Sequence, residues 1–381
     1  MPDSLFTPRF FVMCGFTFTV FLSAFQLLPT APFRIVDLGG STFASGLFLG
    51  FLTYASATSA PFTGALADRI GRRRTLLLAS GVIALCSAGY AATSNYRVML
   101  VLVIVHGIFW SGLLSASGAY MAGMLPEGRR AEGLGYWGLS SVAAIAVAPP
   151  IAFWVFQHGW LWICVSCGGL NLLMGAIAWT LDEEGDDAAH HASSAVRLTP
   201  AIEWRVLVLS LTLFLYSFGY GAITSFSAVY ADALGVTPKS LYLTTLAVVI
   251  LLTRPLSGPL ADRIGYRRVF APSLVLISSG LAILALGGTR GSLVASAVVF
   301  GLGFGTAWPV FVAYALGDID ARRRGAAFGA IIAAFDVGIG TGSTAGGWLI
   351  QRFGFSVAFG TAAALSAVAL PYFLLVDRRL R

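Results

Sequence analysis

The sequence predicts an all-α integral membrane protein with twelve transmembrane helices arranged as two pseudo-symmetric six-helix bundles. Three observations carry that prediction. The composition is 57% hydrophobic and only 11% charged, with a mean hydropathy of +0.83, whereas a soluble domain averages about 25% charged residues. Apolar stretches long enough to cross a bilayer, about 17–25 residues, follow one another along nearly the whole chain. Finally, GALADRIGRRR at 64–74 returns as GPLADRIGYRR at 258–268, with nine of eleven positions identical after a displacement of 194 in a chain of 381. A period near half the chain length marks two homologous halves.

Taken in order, the first six spans are expected at roughly 10–28, 43–66, 74–93, 98–121, 132–156 and 160–180. The second six are expected at roughly 204–228, 239–260, 269–288, 292–316, 325–349 and 354–376. Shifting the first set by 194 lands on the second within a few residues throughout. The halves are therefore 1–181 and 201–381, joined by DEEGDDAAHHASSAVRLTP at 182–200, the one long polar stretch. Its acidic, small-residue composition reads as a flexible linker, with His190 and His191 solvated and not metal ligands. The amino-terminal MPDSLFTPRFF lacks a basic n-region and a small-residue cleavage site, so the first apolar stretch reads as a retained helix and not as a signal peptide.

Charge placement sets the topology. An even number of spans puts both termini on one side. Eighteen of the 24 Lys and Arg residues fall on that side, among them Arg9, Arg72, Arg129, Arg205, Arg267, Arg322 and Arg378. Five fall on the other side (Arg34, Arg97, Lys239, Arg290, Arg352), and Arg254 lies within a span. Positive charge stays inside, so both termini are expected in the cytoplasm. The net charge of +7 is then topology, and nucleic-acid binding is not expected. The four cysteines, Cys14, Cys86, Cys164 and Cys167, all lie in apolar runs, which speaks against a disulfide framework. Cys164 and Cys167 read C-x-x-C but have no second ligand pair, so they are expected to pack, with no metal and no cofactor.

The repeated motif resembles the loop 2–3 signature of the major facilitator superfamily in Gly64, Leu66, Asp68, Arg69, Gly71, Arg72 and Arg73. Gly258, Asp262, Arg263 and Gly265 resemble its loop 8–9 copy. The resemblance covers the whole chain and implies two six-helix bundles that rock about a central cavity, as secondary transporters do. It also implies a cytoplasmic latch, in which Asp68 faces the start of the eleventh helix and Arg72 pairs with Glu127. Gly64 and Gly258 would allow close helix approach, and Asp68 at a helix N-terminus is favoured by the macrodipole. The second copy carries Tyr266 where the first has Arg72, so the latch is expected to be one-sided.

Two further family motifs are altered. The fourth span reads Val103-Ile104-Val105-His106-Gly107, without the Arg that the family carries before the Gly. The Gly-rich antiporter motif of the fifth span survives as Ala144, Ala148, Pro149 and Ala152. Its shifted counterpart has Gly338, Gly342, Ser343, Gly346 and Gly347.

Ionisable groups inside the bilayer are expensive and so are candidates for function. Asp336 lies eleven residues into the eleventh span, about 16 Å from its start, and suits a proton carrier. His106, four residues before Trp110 in the fourth span, is a second proton-coupling candidate. Arg254 either snorkels toward the cytoplasmic end of the eighth span or pairs with Asp336. Gln26 and Tyr220 are related by the 194 shift, and Tyr216 is one turn before Tyr220. The resemblance places the first, fourth, seventh and tenth spans around the cavity. Gln26, Trp110, Tyr216, Tyr220, Trp308 and Arg254 are the expected substrate contacts.

Sequence texture around LPTAPFRIVDLGGS and DVGIGTGSTAGGW resembles the drug and sugar efflux branch of the superfamily. The expectation is a monomeric inner-membrane transporter that exports a small organic solute in exchange for protons. Uptake of a sugar or small metabolite by symport or uniport is the alternative. An enzyme is not expected: the chain has a single intramembrane Asp, its single Lys is Lys239, and it has no Walker A loop.

Overall fold

The structure is a computed structural model that describes residues 5–126, 129–182, 204–317, 319 and 324–380. Among these it contains twelve α-helices and no strand. The first half provides α1 (Pro8–Asp37), α2 (Thr42–Ile70), α3 (Arg72–Ala92), α4 (Tyr96–Met124), α5 (Arg130–Phe156) and α6 (Trp160–Trp179). The second provides α7 (Trp204–Ala233), α8 (Leu241–Ile264), α9 (Tyr266–Leu286), α10 (Arg290–Gly317), α11 (Arg324–Phe353) and α12 (Phe355–Leu380). Apart from Asp182, the linker expected at 182–200 lies outside the described residues, as does Glu127.

Each expected span is a helix, and eleven are long and apolar enough to cross a membrane. The exception is α2, whose 29 residues include TYASATSAPFTG, a run of small and hydroxyl side chains that lowers its hydropathy. Length is not the obstacle, since such a helix rises about 43 Å. Several helices run past the apolar stretches that located them: α1 continues to Asp37 and α8 to Ile264. Hydropathy marks where a helix meets lipid, while its hydrogen-bonded backbone continues until the chain must turn.

The repeat is also written in the backbone. Gly71, between α2 and α3, has φ 93°, and Gly265, between α8 and α9, has φ 93° as well. A left-handed residue lets one helix end and the next begin with no intervening loop, and Gly takes that conformation without steric cost.

The chain forms two compact units. The first comprises residues 1–27 and 58–198, and the second residues 28–57 and 199–381. Thus α1 and α2 each contribute to both. Pro29 and Pro32 lie in α1 just beyond the point where it changes unit; each removes a backbone donor and favours a bend there.

In the first unit Phe16, Leu76, Ile83, Leu113, Met121 and Met174 form a buried core. Polar bonds tie its helices together: Trp137 Nε1 donates to Thr17 Oγ1 at 2.8 Å, and Asn171 Nδ2 donates to Ser87 Oγ at 3.1 Å. The runs of Phe in α1 and α7 serve packing, with Phe16, Phe218 and Phe226 all buried. Large exposed side chains such as Leu85, Leu252, Leu256 and Leu286 suit a surface that faces lipid.

In the second unit α7 and α11 meet backbone to backbone. A Cβ on Gly342 would run into the Phe218 carbonyl, one on Gly221 into the Ile339 carbonyl, and one on Gly338 into Ser217 Oγ. Ser225 Oγ and Ser343 Oγ are 2.7 Å apart, and Ser217 Oγ donates to the Phe335 carbonyl at 3.2 Å. With lipid as apolar as any side chain, close contact and hydroxyl bonds of this kind supply much of the attraction between helices.

By contrast, a Cβ on Gly64 or Gly258 meets nothing within 4 Å among the described residues. Gly342→Ala is therefore expected to lower the thermal stability of the detergent-purified protein, by about 1–3 kcal/mol for a forced overpacking. Gly64→Ala is expected to leave it unchanged or raised, because Ala is the better helix residue. Equal melting temperatures for the two variants would contradict the backbone contact.

Candidate substrate and proton site

The second half of α11 is also covered by the first half of α2, within the same unit. The two helices run antiparallel and share a ladder of small and hydroxyl residues. At the outer end Phe43 N donates to Gln351 Oε1 at 3.1 Å. Further along, Ser343 Oγ donates to the Gly46 carbonyl at 2.8 Å, and Tyr54 Oη donates to Thr341 Oγ1 at 3.1 Å. Gly46, Gly50, Gly340 and Gly347 leave no room for a Cβ against the facing helix. The innermost rung is Ser56 Oγ, which donates to Asp336 Oδ2 at 3.1 Å.

Asp336 sits twelve residues into the 30-residue α11, about 18 Å from its start. It therefore lies in the middle third of its helix. The expected pairing with Arg254 is not made: among the described residues the Asp336 carboxylate takes the Ser56 hydroxyl, and neither group forms an ion pair. Ser56 itself is buried, at 4% exposure. It escaped sequence reasoning because α2 holds several Ser and Thr residues, and only the fold picks out the one that meets a carboxylate.

Arg254 lies near the middle of α8 counted along the helix: ten residues follow it and thirteen precede it. Its neighbour Thr253 packs against Gly305 of α10, one residue from Phe304, whose ring meets those of Tyr216 and Tyr220 of α7. Tyr220 stacks on Phe304 with centroids 4.4 Å apart, and Trp308 lies 4.4 Å from Phe335, the residue beside Asp336. Phe304 and Phe335, 6.1 Å apart, close the chain of rings. Thus Tyr216, Tyr220, Trp308, Arg254 and Asp336 are gathered in the second unit along an aromatic wall drawn from α7, α10 and α11.

Gln26, His106 and Trp110 belong to the first unit. Ser166 Oγ donates to Gln26 Oε1 at 2.9 Å, and Trp110 meets Phe21 edge to face at 5.5 Å. His106 is buried at 3% exposure, with its Nδ1 3.3 Å from Tyr90 Oη. Ser23, His106, Trp110 and Asn171 line a small cavity of about the size that holds one water.

The loop motifs occupy the same positions in both halves. Asp68 and Arg69 are exposed, Gly71 is buried and Arg72 is half-buried, with its guanidinium packed over Gly123 near the end of α4. In the second copy Asp262, Arg263 and Gly265 are exposed, and Tyr266 Oη donates to Asp262 Oδ1 at 2.8 Å. The residue that replaces the Arg thus bonds within its own motif. Among the described residues no group of His, Cys, Asp and Glu is arranged to hold a metal.

Twelve helices in two sequence-related halves, eleven of them long and apolar enough to cross a membrane, define a multi-pass membrane protein. Residues 11–253 and again 209–381 match the Major Facilitator Superfamily, and the chain belongs to it. It is 27% identical over 385 residues to an uncharacterised transporter of this type from Pseudomonas aeruginosa (strain UCBPP-PA14), covering 96% of this chain and 92% of the relative. Among solved structures it resembles a mutant of the nucleoside transporter NupG, with a TM-score of 0.78, 14% identity, and 96% and 99% of the two chains covered. It also resembles a D-xylose–proton symporter, with a TM-score of 0.77, 16% identity, and 96% and 97% covered. These relatives are transporters and not enzymes.

The geometry at Asp336 separates two substitutions. An amide in Asp336→Asn still offers an oxygen to Ser56, so its melting temperature is expected to stay within about 2 °C of the wild type. Ser56→Ala removes the donor and is expected to cost about 1–3 kcal/mol, as for a hydrogen bond to a charged group. Thermal unfolding in detergent measures both, and a larger loss for Asp336→Asn than for Ser56→Ala would contradict the bond.

Proposed function

We propose that this chain is a proton-coupled secondary transporter that exports a small organic solute by alternating access, with Asp336 as the proton carrier. The halves 1–181 and 201–381 are the bundles that move. The protein acts as a monomer in the inner membrane with both termini in the cytoplasm, the side rich in Arg. One observation carries the reading: a carboxylate at mid-depth in α11 is held by the Ser56 hydroxyl and not by a cation.

When ionised, Asp336 accepts a bond from Ser56; when protonated, it loses its charge and itself becomes a donor. Its proton therefore changes the innermost rung of the α2–α11 ladder. Coupling requires that proton and solute favour different arrangements of the protein, and a charge cost relieved by protonation is such a bias. Asp336 is assigned this role ahead of His106, whose ring is enclosed beside Tyr90. Gln26, Trp110, Tyr216, Tyr220 and Trp308 are assigned to solute contact. Gly64, Asp68, Arg69, Gly71, Arg72 and Glu127, with Gly258, Asp262, Arg263 and Gly265, are assigned to the cytoplasmic latch.

Export accords with the resemblance to the drug and sugar efflux branch. Uptake by symport or uniport is the second reading. It is favoured by His106 and Gly107 standing without the family's Arg and by the likeness in fold to the D-xylose–proton symporter.

The test uses purified protein in weakly buffered detergent and in proteoliposomes, with a panel of sugars, amphipathic cations and metabolites. The wild type is expected to release protons on binding its solute and to transport it along a proton gradient. Asp336→Asn is expected to lose both while retaining solute counterflow. Proton-driven transport that persists in Asp336→Asn overturns the assignment, and binding without proton exchange in the wild type favours uniport.

A further inference from the structure

We infer that the solute carries an anionic group, a carboxylate or a phosphate, which Arg254 binds with the Tyr216 hydroxyl as a second donor. The inference rests on the reading of this face as the solute site and adds the chemical class that the site accepts.

Arg254 is a fixed cation in the middle third of α8. Among the described residues its guanidinium forms no ion pair and no side-chain hydrogen bond, and the one intramembrane carboxylate, Asp336, is bound to Ser56. A guanidinium within a span needs protein, water or a ligand to compensate it, and the anionic group of a solute meets that need. The direction of Arg254 excludes lipid. Leu252 and Leu256, which are 66% and 68% exposed, stand two residues to either side and hence about 200° round the helix. Arg254 therefore projects from the opposite face, where it is half-exposed; there Thr253 packs against Gly305 of α10, beside the Phe304 ring that Tyr216 and Tyr220 contact.

Tyr216 is the second, independent observation. It is fully buried at 0% exposure, and its hydroxyl has no hydrogen-bond partner among the described residues. Buried hydroxyls are normally satisfied, and a donor left over on the Phe304 ring cluster that α8 meets beside Arg254 has the makings of a polar subsite. Guanidinium and hydroxyl both donate, and carboxylate and phosphate oxygens accept from such groups, in the guanidinium case by paired bonds. The adjoining rings of Tyr220, Phe304 and Trp308 suit an apolar or planar body attached to the anion.

The experiment is equilibrium binding to the full chain in detergent, followed by tryptophan fluorescence and by calorimetry, with four probes that share one ring. Benzoate and phenyl phosphate are the anions; benzamide and benzylamine are the neutral and cationic controls. The wild type is expected to bind at least one anion about tenfold or more tightly than benzamide, and benzylamine no better than benzamide. Arg254→Gln is expected to lose that preference while still binding benzamide, Arg254→Lys to retain part of it, and Tyr216→Phe to reduce it several-fold. A monodisperse, cooperatively melting Arg254→Lys variant keeps the test valid if the Gln variant fails to fold.

The two anions tell a carboxylate from a phosphate specificity. No preference for either anion over benzamide in the wild type, including no binding at all, overturns the inference, as does a preference unchanged in Arg254→Gln. Binding needs no proton gradient. An anion preference without proton exchange therefore upholds this inference while the coupling role of Asp336 fails, and the converse result separates them the other way.

Discussion

Inside a bilayer, two helix backbones come into contact only where neither carries a side chain, because lipid offers no hydrophobic gain for pressing them together. The second unit is organised around that constraint. Gly338 and Gly342 of α11 take the carbonyls and hydroxyls of α7 on one side, while Gly340 and Gly347 take α2 on the other. Held between two neighbours, α11 has little freedom to rotate, and this fixes the direction of Asp336 at its centre. The position of the acidic group thus follows from glycines that have no chemistry of their own.

The same packing explains why polar groups are tolerated here. Ser217, Ser225, Ser343, Thr341 and Ser56 each find a partner on an adjacent helix or on their own backbone. The Tyr216 hydroxyl has no partner among the described residues, and the same is true of Ser210, Thr212 and Ser227 of α7 and of Thr344 of α11. What sets Tyr216 apart is its ring contact with Phe304, beside the point where α8 packs on α10. The α2–α11 face is thus held by its own hydrogen bonds, while the face toward α8 keeps donors available.

Much of this was legible in the sequence. Hydropathy and the 194-residue repeat located twelve helices, and helical rise alone set Asp336 in the middle third of its helix. The alternative pairing of Arg254 with Asp336 was expected because both helices belong to one half, whereas direction round the helix decides contact, and a single sequence does not reveal that direction. Ser56 was invisible for a related reason. A hydroxyl in a run such as TYASATS gains meaning only from what faces it, and its partner is 280 positions away. The small-residue motif of α11 was recognised and associated with exchange transport, but its immediate physical use is contact with α7 and α2.

The α2–α11 contact has a bearing on how the chain is made. The bond between Gly46 and Ser343 joins residues 297 apart, so α2 enters the membrane long before its partner exists. At translation rates of about 5–20 residues per second, that interval is on the order of 15–60 s. Throughout it, a helix too rich in Ser and Thr to pass as an ordinary span must keep Gly46, Gly50 and Thr53 uncovered. The low hydropathy of α2 is thus a burden carried during biogenesis, discharged only when nearly all the chain has been synthesised.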